Sequence, residues 1–167
     1  KSFTSGQSIT TDATYTLIVR DKAGNETKRS FTIDRTAPVV SNIQNGSFNR
    51  NITPVFGEGT ATLNDKPFTS GTVVSEEGVY ELEVKDKAGN VTKITFTIDK
   101  TAVEVQGVTE ADTYPSAQPT FSEGEATLNG KPFTSGQAIT ADGNYTLIVT
   151  DRAGNQTVVQ FTIDATP

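Results

Sequence analysis

Acidic residues at two recurring positions are the side chains of this sequence best suited to chemistry. The word Asp-x-Ala-Gly-Asn occurs three times at equal spacing, at 21–25, 86–90 and 151–155. A second aspartate recurs with the same spacing, at Asp34, Asp99 and Asp164. Paired carboxylates can act as general acid and base, and carboxylates with carbonyl oxygens and water can bind Ca²⁺. These are the two chemistries that the sequence raises.

Composition removes most other chemistries. The 167 residues contain no Cys and no His, so thiolate sites, disulfides and imidazole catalysis are excluded. The formal net charge is −6 with no basic cluster, which argues against a nucleic-acid partner, since phosphate neutralisation supplies most of that affinity. No apolar run approaches the roughly 20 residues that span a bilayer, so we expect no membrane insertion of this segment.

The constant spacing favours a structural role for the acidic residues. An enzyme seldom needs the same constellation at regular intervals along its chain, and both recurring positions are predicted to be exposed. We therefore predict that the chain is not an enzyme and has no catalytic or cofactor-binding residues.

Internal duplication extends well beyond the five-residue word. Residues 1–37 and 131–167 are identical at 24 of 37 positions. The preceding half also recurs, because PVFGEGTATLNDKPF at 54–68 matches PTFSEGEATLNGKPF at 119–133. The repeated unit therefore has the same length as the interval between the words, and such a period is settled before any site is argued.

Unit boundaries are predicted at the segments TIDRTAP and TIDKTA. This frame gives two complete units, 38–102 and 103–167, preceded by the second half of another at 1–37. An alternative frame begins units at Lys1, Lys66 and Lys131, but it cuts through the predicted turn in LNDKPF.

Period-2 alternation predicts strands on both sides of the recurring word. In VYELEVK the residues Tyr80, Leu82 and Val84 face one side, and in ITFTID Phe96 and Ile98 do the same. Between them the word predicts a hairpin loop, because Asp accepts bonds from nearby backbone N–H groups and Gly and Asn tolerate positive φ. The predicted turn residues are Asp21, Gly24, Asn25, Asp86, Gly89, Asn90, Asp151, Gly154 and Asn155.

About seven short strands per unit and no helical periodicity predict an all-β fold of tandem immunoglobulin-like antiparallel β-sandwich domains in an elongated array. In the third unit the predicted core positions in register are Tyr145, Leu147, Val149, Phe161 and Ile163.

A family resemblance follows from these strings. The pattern G-x-Y-x-L-x-V-x-D-x-A-G-N, followed by F-T-I-D-x-T-A-P, resembles the bacterial immunoglobulin-like repeats of cell-surface proteins and adhesins. The resemblance implies an extracellular stalk or spacer, on a bacterial surface or secreted, whose partners are neighbouring repeats. It also implies that a linker aspartate can help bind Ca²⁺ between domains. The candidates for such a calcium site are Asp34, Asp99, Asp164, Glu110 and Asp112.

Two alternatives remain open at this point. A carbohydrate or host ligand could bind through aromatic residues specific to one unit, for which the candidates are Tyr114 and Phe48. The unpaired strands of residues 1–37 could also pair with another chain, because an open strand edge offers unsatisfied backbone groups.

Overall fold

The computed structural model describes residues 2–166, and it contains strands, turns and no helix within that range. The all-β prediction is therefore confirmed. No helix that could cross a membrane was found in the described range. The sixteen strands are β1 (Ala13–Arg20), β2 (Glu26–Ile33), β3 (Val40–Ser41), β4 (Gly46–Phe48), β5 (Val55–Phe56), β6 (Thr60–Leu63), β7 (Lys66–Phe68), β8 (Gly78–Lys85), β9 (Val91–Ile98), β10 (Val105–Gln106), β11 (Thr113–Tyr114), β12 (Thr120–Phe121), β13 (Glu125–Leu128), β14 (Lys131–Phe133), β15 (Gly143–Thr150) and β16 (Gln156–Ile163).

The strands form two equivalent pairs of sheets and one separate hairpin. One five-stranded sheet has the order β4-β9-β8-β6-β7 and is accompanied by the two-stranded sheet β3-β5. The other has the order β11-β16-β15-β13-β14 and is accompanied by β10-β12. Strands β1 and β2 pair only with each other among the described residues.

One edge of each five-stranded sheet corrects the sequence prediction. Strand β4 pairs with β9 in parallel, and β11 pairs with β16 in parallel, so the sheets are not wholly antiparallel. The parallel strands are only two or three residues long. Strand signals this short are not visible as alternation in the sequence, which is why the direction could not be read there. Residues 137–140 form no strand of their own and contribute a single bridge, between Ala117 and Ile139.

Each pair of sheets encloses its own core. Leu82 and Val84 from β8 and Phe96 and Ile98 from β9 are buried, as the alternation predicts. The equivalent side chains of β15 and β16 are buried in the second core. Since transfer of apolar surface out of water is the main favourable term in folding, these inward faces stabilise the sheets.

A tyrosine at the start of the long hairpins recurs in all three copies. The hydroxyl of Tyr80 donates to the carbonyl of Glu76 at 2.8 Å, and its ring stacks on Phe96 with centroids 5.1 Å apart. Tyr145 and Tyr15 donate to the equivalent carbonyls at 2.8 and 2.9 Å. This contact ties the segment before each hairpin to the hairpin's own core face.

Candidate functional site

The recurring Asp-x-Ala-Gly-Asn word forms the loop that joins the two long strands of each hairpin. Asp86 Oδ1 accepts the N–H groups of Gly89 and Asn90 at 2.7 and 2.8 Å, and Asp86 Oδ2 accepts Asn90 Nδ2 at 2.7 Å. The backbone N–H of Asp86 donates to the carbonyl of Asn90 at 3.0 Å, which closes the loop. Gly89 has φ +98°, a region that side chains with a Cβ rarely adopt.

The same network recurs in the other two loops. Asp151 Oδ1 accepts the N–H of Asn155 at 2.9 Å, and its other oxygen accepts the Asn155 amide at 2.7 Å. Asp21 and Asn25 make the equivalent bonds at 2.9 and 2.8 Å. The nine predicted turn residues therefore all lie in these three loops, with Gly24 and Gly154 also at positive φ.

Hydrogen bonding sets the charge state of the loop aspartates. The Asn90 side chain, together with the backbone N–H groups of the loop, holds the pKa of the Asp86 carboxyl below its ordinary value. Burial pushes the pKa of Asp151 upward, but the bonds from Asn155 and the loop backbone outweigh it and leave that pKa lowered. A carboxylate that accepts several N–H bonds favours its ionised form. The hydrogen bonds of the loop therefore stabilise the ionised form of these carboxyl groups.

The asparagine of the loop reaches outside its own hairpin. Asn90 Nδ2 donates to the carbonyl of Asp34 at 3.1 Å, 56 residues earlier, and the hydroxyl of Thr92 donates to the carbonyl of Pro38. In the next copy Asn155 Nδ2 donates to the carbonyl of Asp99 at 2.9 Å, and Thr157 donates to Val103. The word Asp-x-Ala-Gly-Asn-x-Thr thus binds the backbone of the linker that leads into its sheets.

The same linker is also bound by an acidic residue that precedes it in the chain, whereas the asparagine follows it. Asp12 accepts the backbone N–H of Arg35 at 3.2 Å and the hydroxyl of Thr36 at 3.3 Å. Glu77 accepts Lys100 N–H at 2.5 Å and the Thr101 hydroxyl at 3.1 Å. We call each set a joint. The first joint is linker 34–38 with Asp12, Asn90 and Thr92, and the second is linker 99–103 with Glu77, Asn155 and Thr157.

The structure does not bring the five calcium candidates together. Each linker aspartate caps its own turn, because Asp34 and Asp99 accept the N–H of Thr36 and Thr101 at 3.1 Å, and Asp164 accepts that of Thr166 at the same distance. In residues 2–166 no group of three or more acidic side chains is arranged to hold a metal ion.

Glu110 has a structural partner that repeats. Its Oε2 accepts the backbone N–H of Gln160 at 2.7 Å, and Asn45 Oδ1 accepts that of Thr95 at 2.8 Å in the equivalent position. Asp112, the remaining calcium candidate, accepts the hydroxyl of Tyr114 at 3.3 Å. Both side chains are therefore engaged with the edge of their own sheet.

The two ligand candidates occupy equivalent places on the two sheets. Phe48 pairs with Ile98 and Tyr114 pairs with Ile163, and their carbonyls accept the N–H groups of Asp99 and Asp164 at 3.0 and 2.9 Å. Both rings are half-buried and pack against a core. Phe48 and Tyr114 are 66 positions apart, whereas the repeated word recurs every 65 positions. Alignment of the repeats therefore did not reveal that the two residues correspond.

Sequence reasoning also missed the residues of the joints other than the loop asparagines. Thr92 and Thr157 were visible only as the last letter of Asn-x-Thr, and Asp12 and Glu77 are different residue types at equivalent positions. The available signal was the fixed distance between each Asn-x-Thr and the linker before it. No buried side-chain nitrogen or oxygen in the described residues lacks a hydrogen-bond partner.

Comparison with known families agrees with the resemblance read from the sequence. Residues 37–100 match the model of a family described as a bacterial Ig-like domain. The resemblance to bacterial Ig-like repeats is therefore confirmed over these residues. The matched range begins one residue before the predicted unit 38–102 and ends two residues before that unit does.

Comparison with solved structures returned a Ca²⁺-stabilised adhesin that helps an Antarctic bacterium to reach out and bind ice. It is 18% identical to this chain, and the match covers 90% of this chain and 55% of that one, with a TM-score of 0.25. This chain thus spans about half the length of that structure. No curated protein matches the chain.

Proposed function

We propose that this chain is a non-catalytic segment of the stalk of a bacterial surface or secreted protein. In this proposal tandem Ig-like units, divided as 1–37, 38–102 and 103–167, hold a distal region away from the cell envelope. The partners of each unit are the units before and after it. The family match over 37–100 and the repetition of the same strand order in the following residues support this proposal.

The observation that carries the proposal is the repeated joint. Both linkers are bound by side chains on each side, and the bonds are made to the same linker atoms in the two copies. A spacer needs a defined angle between its units, and hydrogen bonds from two sides restrict the linker's backbone dihedrals. Hydrogen bonds of this kind contribute about 0.5–1.5 kcal/mol each. Several of them acting on one short linker favour a single linker conformation.

The test is small-angle X-ray scattering on the chain and on the double variant Asn90→Ala/Asn155→Ala. We expect an extended particle for the unaltered chain and a broader distribution of distances for the variant, because each linker loses its asparagine hydrogen bond to the following sheet. Asn25→Ala is the matched control, since the Asn25 amide bonds only within its own loop among residues 2–166. A compact unaltered chain would contradict the spacer.

Ligand binding is the alternative function to the spacer. Glycan arrays and surface-ligand screens are expected to be blank for a spacer. Binding that is lost in Tyr114→Ala or Phe48→Ala would identify a recognition module instead. The accessible part of the Phe48 ring, which has the Arg50 guanidinium 5.5 Å from its centroid, is the first place to look.

A further inference from the structure

The outer faces of the two five-stranded sheets differ, although the sheets share one strand order and one pairing register. On the first sheet Glu83 pairs with Lys93, and their side chains form an ion pair at 2.7 Å. On the second sheet the equivalent pair is Ile148 and Val158, and Val158 is 47% exposed. A charged pair of residues 38–102 is therefore an apolar pair in residues 103–166.

The next outward-facing pair differs in charge as well. Thr60 pairs with Lys85 on the first sheet, whereas Glu125 pairs with Thr150 on the second. The same place thus carries a positive charge in one unit and a negative charge in the other. Exposed positions contribute little to stability, so the fold does not require these changes. They alter what the outer face can bind.

The changed residues extend a groove that both complete units possess. In residues 38–102 the groove is lined from β5, β6 and β7, and its volume is about 470 Å³. In residues 103–166 it is lined from β12, β13 and β14, and its volume is about 830 Å³. Only the second groove also reaches the long strand β15, at Ile148 and Thr150.

Backbone contacts shape this larger groove. Gly124 has φ +88°, and a Cβ there would lie 2.6 Å from the carbonyl oxygen of Thr150. Glycine therefore allows the segment before β13 to approach β15 closely. Ser135 Oγ bonds to both backbone groups of Phe121 at 2.9 Å, which ties the segment after β14 to β12. The walls of the groove are thus held in place without a ligand.

Two carboxylates line the groove on either side of Gly124 in the sequence. Glu123 and Glu125 are exposed, and within residues 2–166 neither makes an ion pair or a side-chain hydrogen bond. Arg152 lines an adjoining depression with both glutamates but forms no ion pair with either of them. Glu104 lines another adjoining depression. The surroundings of the groove are therefore negative on balance.

The edge of the sheet at this groove disfavours pairing with a further strand. Strand β14 is the last strand of its sheet, and its central residue, Pro132, has no N–H to donate. Lys131 beside it is exposed, and lysine on an edge strand opposes strand addition. Recognition at the groove therefore depends on side chains.

We propose that the groove of residues 103–166 binds lysine side chains presented by an extended segment of a partner protein. The methylene stem of a lysine packs on Pro132 and Ile148, and its ammonium group reaches the glutamates. Because a lysine side chain joins an apolar stem to a charged end, it matches both parts of the groove. Complementary charge provides specificity, and exposed charges are screened by salt, so binding is weak and salt-dependent. This role goes beyond the spacer and does not depend on it.

The experiment titrates the isotope-labelled full chain with the peptide acetyl-Lys-Val-Lys-Val-Lys-amide and follows the backbone amides by NMR. We expect saturable shifts at Glu125, Ile148 and Thr150, with a dissociation constant on the order of 0.1–1 mM. Raising the ionic strength from about 0.01 M to about 0.15 M should weaken binding several-fold, because the screening length falls. The equivalent amides of residues 38–102 serve as the control in the same sample and should not shift.

A charge-removing variant tests the role of the glutamates. Glu123→Gln/Glu125→Gln keeps the shape of both side chains and should weaken binding by at least about tenfold. Both residues are exposed, so an unchanged melting temperature is expected to show that the unit remains folded. The peptide acetyl-Glu-Val-Glu-Val-Glu-amide should produce no shift, because it has the wrong charge.

A reciprocal variant tests whether the differences between the units create the site. It transfers the residues of the second sheet to the first, where Glu58 already lines the smaller groove. We expect this variant to bind the lysine peptide at both grooves. The substitutions are Thr60→Glu, Glu83→Ile, Lys85→Thr and Lys93→Val.

Several results would overturn the proposal. One is the absence of shifts at up to about 5 mM lysine peptide. Others are equal shifts in residues 38–102 of the unaltered chain, equal shifts with the glutamate peptide, or unchanged affinity in Glu123→Gln/Glu125→Gln. Shifts at the same amides that grow with protein concentration alone, together with a dimer in sedimentation, would mean that a second copy of this chain occupies the groove.

Discussion

Hairpins β1–β2 and β15–β16 have closely similar sequences, the same pairing register and opposite environments. Tyr15 pairs with Phe31 as Tyr145 pairs with Phe161, and the stacked rings are 5.5 and 5.6 Å apart. The first hairpin nevertheless exposes residues that the third buries. Local sequence therefore specifies the hairpin and its loop, whereas burial depends on strands supplied by a distant segment.

The largest difference between the two hairpins is expected when the equivalent leucines, Leu147 and Leu17, are each replaced by alanine. Leu147→Ala removes a side chain with 0% exposure and should reduce the stability of residues 103–166 by about 2–5 kcal/mol, through lost burial and a cavity. Leu17→Ala removes a partly exposed side chain, so we expect at most about 1 kcal/mol. Residue-resolved hydrogen exchange separates the two regions. Equal losses would mean that the first hairpin is covered in solution.

Replacement of a loop glycine tests whether the loop behaves alike in both environments. Gly89→Val places a β-branched residue at φ +98° and should cost about 1–3 kcal/mol from backbone strain, since no atom lies within 4 Å of the added Cβ. Gly24→Val meets the same strain at φ +88° in the exposed hairpin. Thermal unfolding followed by circular dichroism, with exchange to localise it, gives the loss. Unchanged melting of Gly89→Val would refute the turn assignment.

The joint can be tested by comparing Asn155→Ala with Asn25→Ala. The first variant loses the bond to the Asp99 carbonyl as well as the bond to its own loop aspartate, so we expect a loss of about 1–2 kcal/mol. The second loses only the loop bond and should cost less. Urea denaturation measures both. A larger loss of stability for Asn25→Ala would contradict the claim that the bond from Asn155 to the linker is stabilising.

Acid should lower the stability of residues 103–166 through Asp151, the aspartate of their loop. The pKa of Asp151 in the folded chain lies below the ordinary value of 3.8, so ionised Asp151 contributes stability above that value. The contribution is lost as the pH falls through the lowered pKa. Asp151→Asn should flatten the decline of the melting temperature below about pH 4, relative to the unaltered chain. An unchanged slope would show that another group governs it.

Calcium is expected to have the smallest effect. The linker aspartates cap their own turns, and Glu110 and Asp112 contact the edge of their own sheet. Adding Ca²⁺ or a chelator should therefore leave the melting temperature unchanged. A rise that disappears in Asp99→Asn would establish a metal contribution at the second joint.

The loop and the strands beside it could be predicted because their determinants are local. Alternation in VYELEVK and FTID, and the Asp, Gly and Asn of the loop, lie within one continuous stretch, 79–99 in the second copy. The joint could not be predicted in the same way. The amide of Asn90 binds the Asp34 carbonyl, and a backbone carbonyl leaves no trace in residue identity. The equivalence of Phe48 and Tyr114 was hidden by a shift of one position that only the parallel pairing reveals.

The sequence by itself determined the repeat, the all-β class and the inward faces of the long strands, because periodicity and turn chemistry act between near neighbours. Only the tertiary structure decided which acidic residues bind linkers and which edge strands run in parallel. Those features depend on contacts between segments that are distant in the chain, where the free energy comes from excluding water and satisfying backbone groups. Residue types alone do not specify which segment will do so.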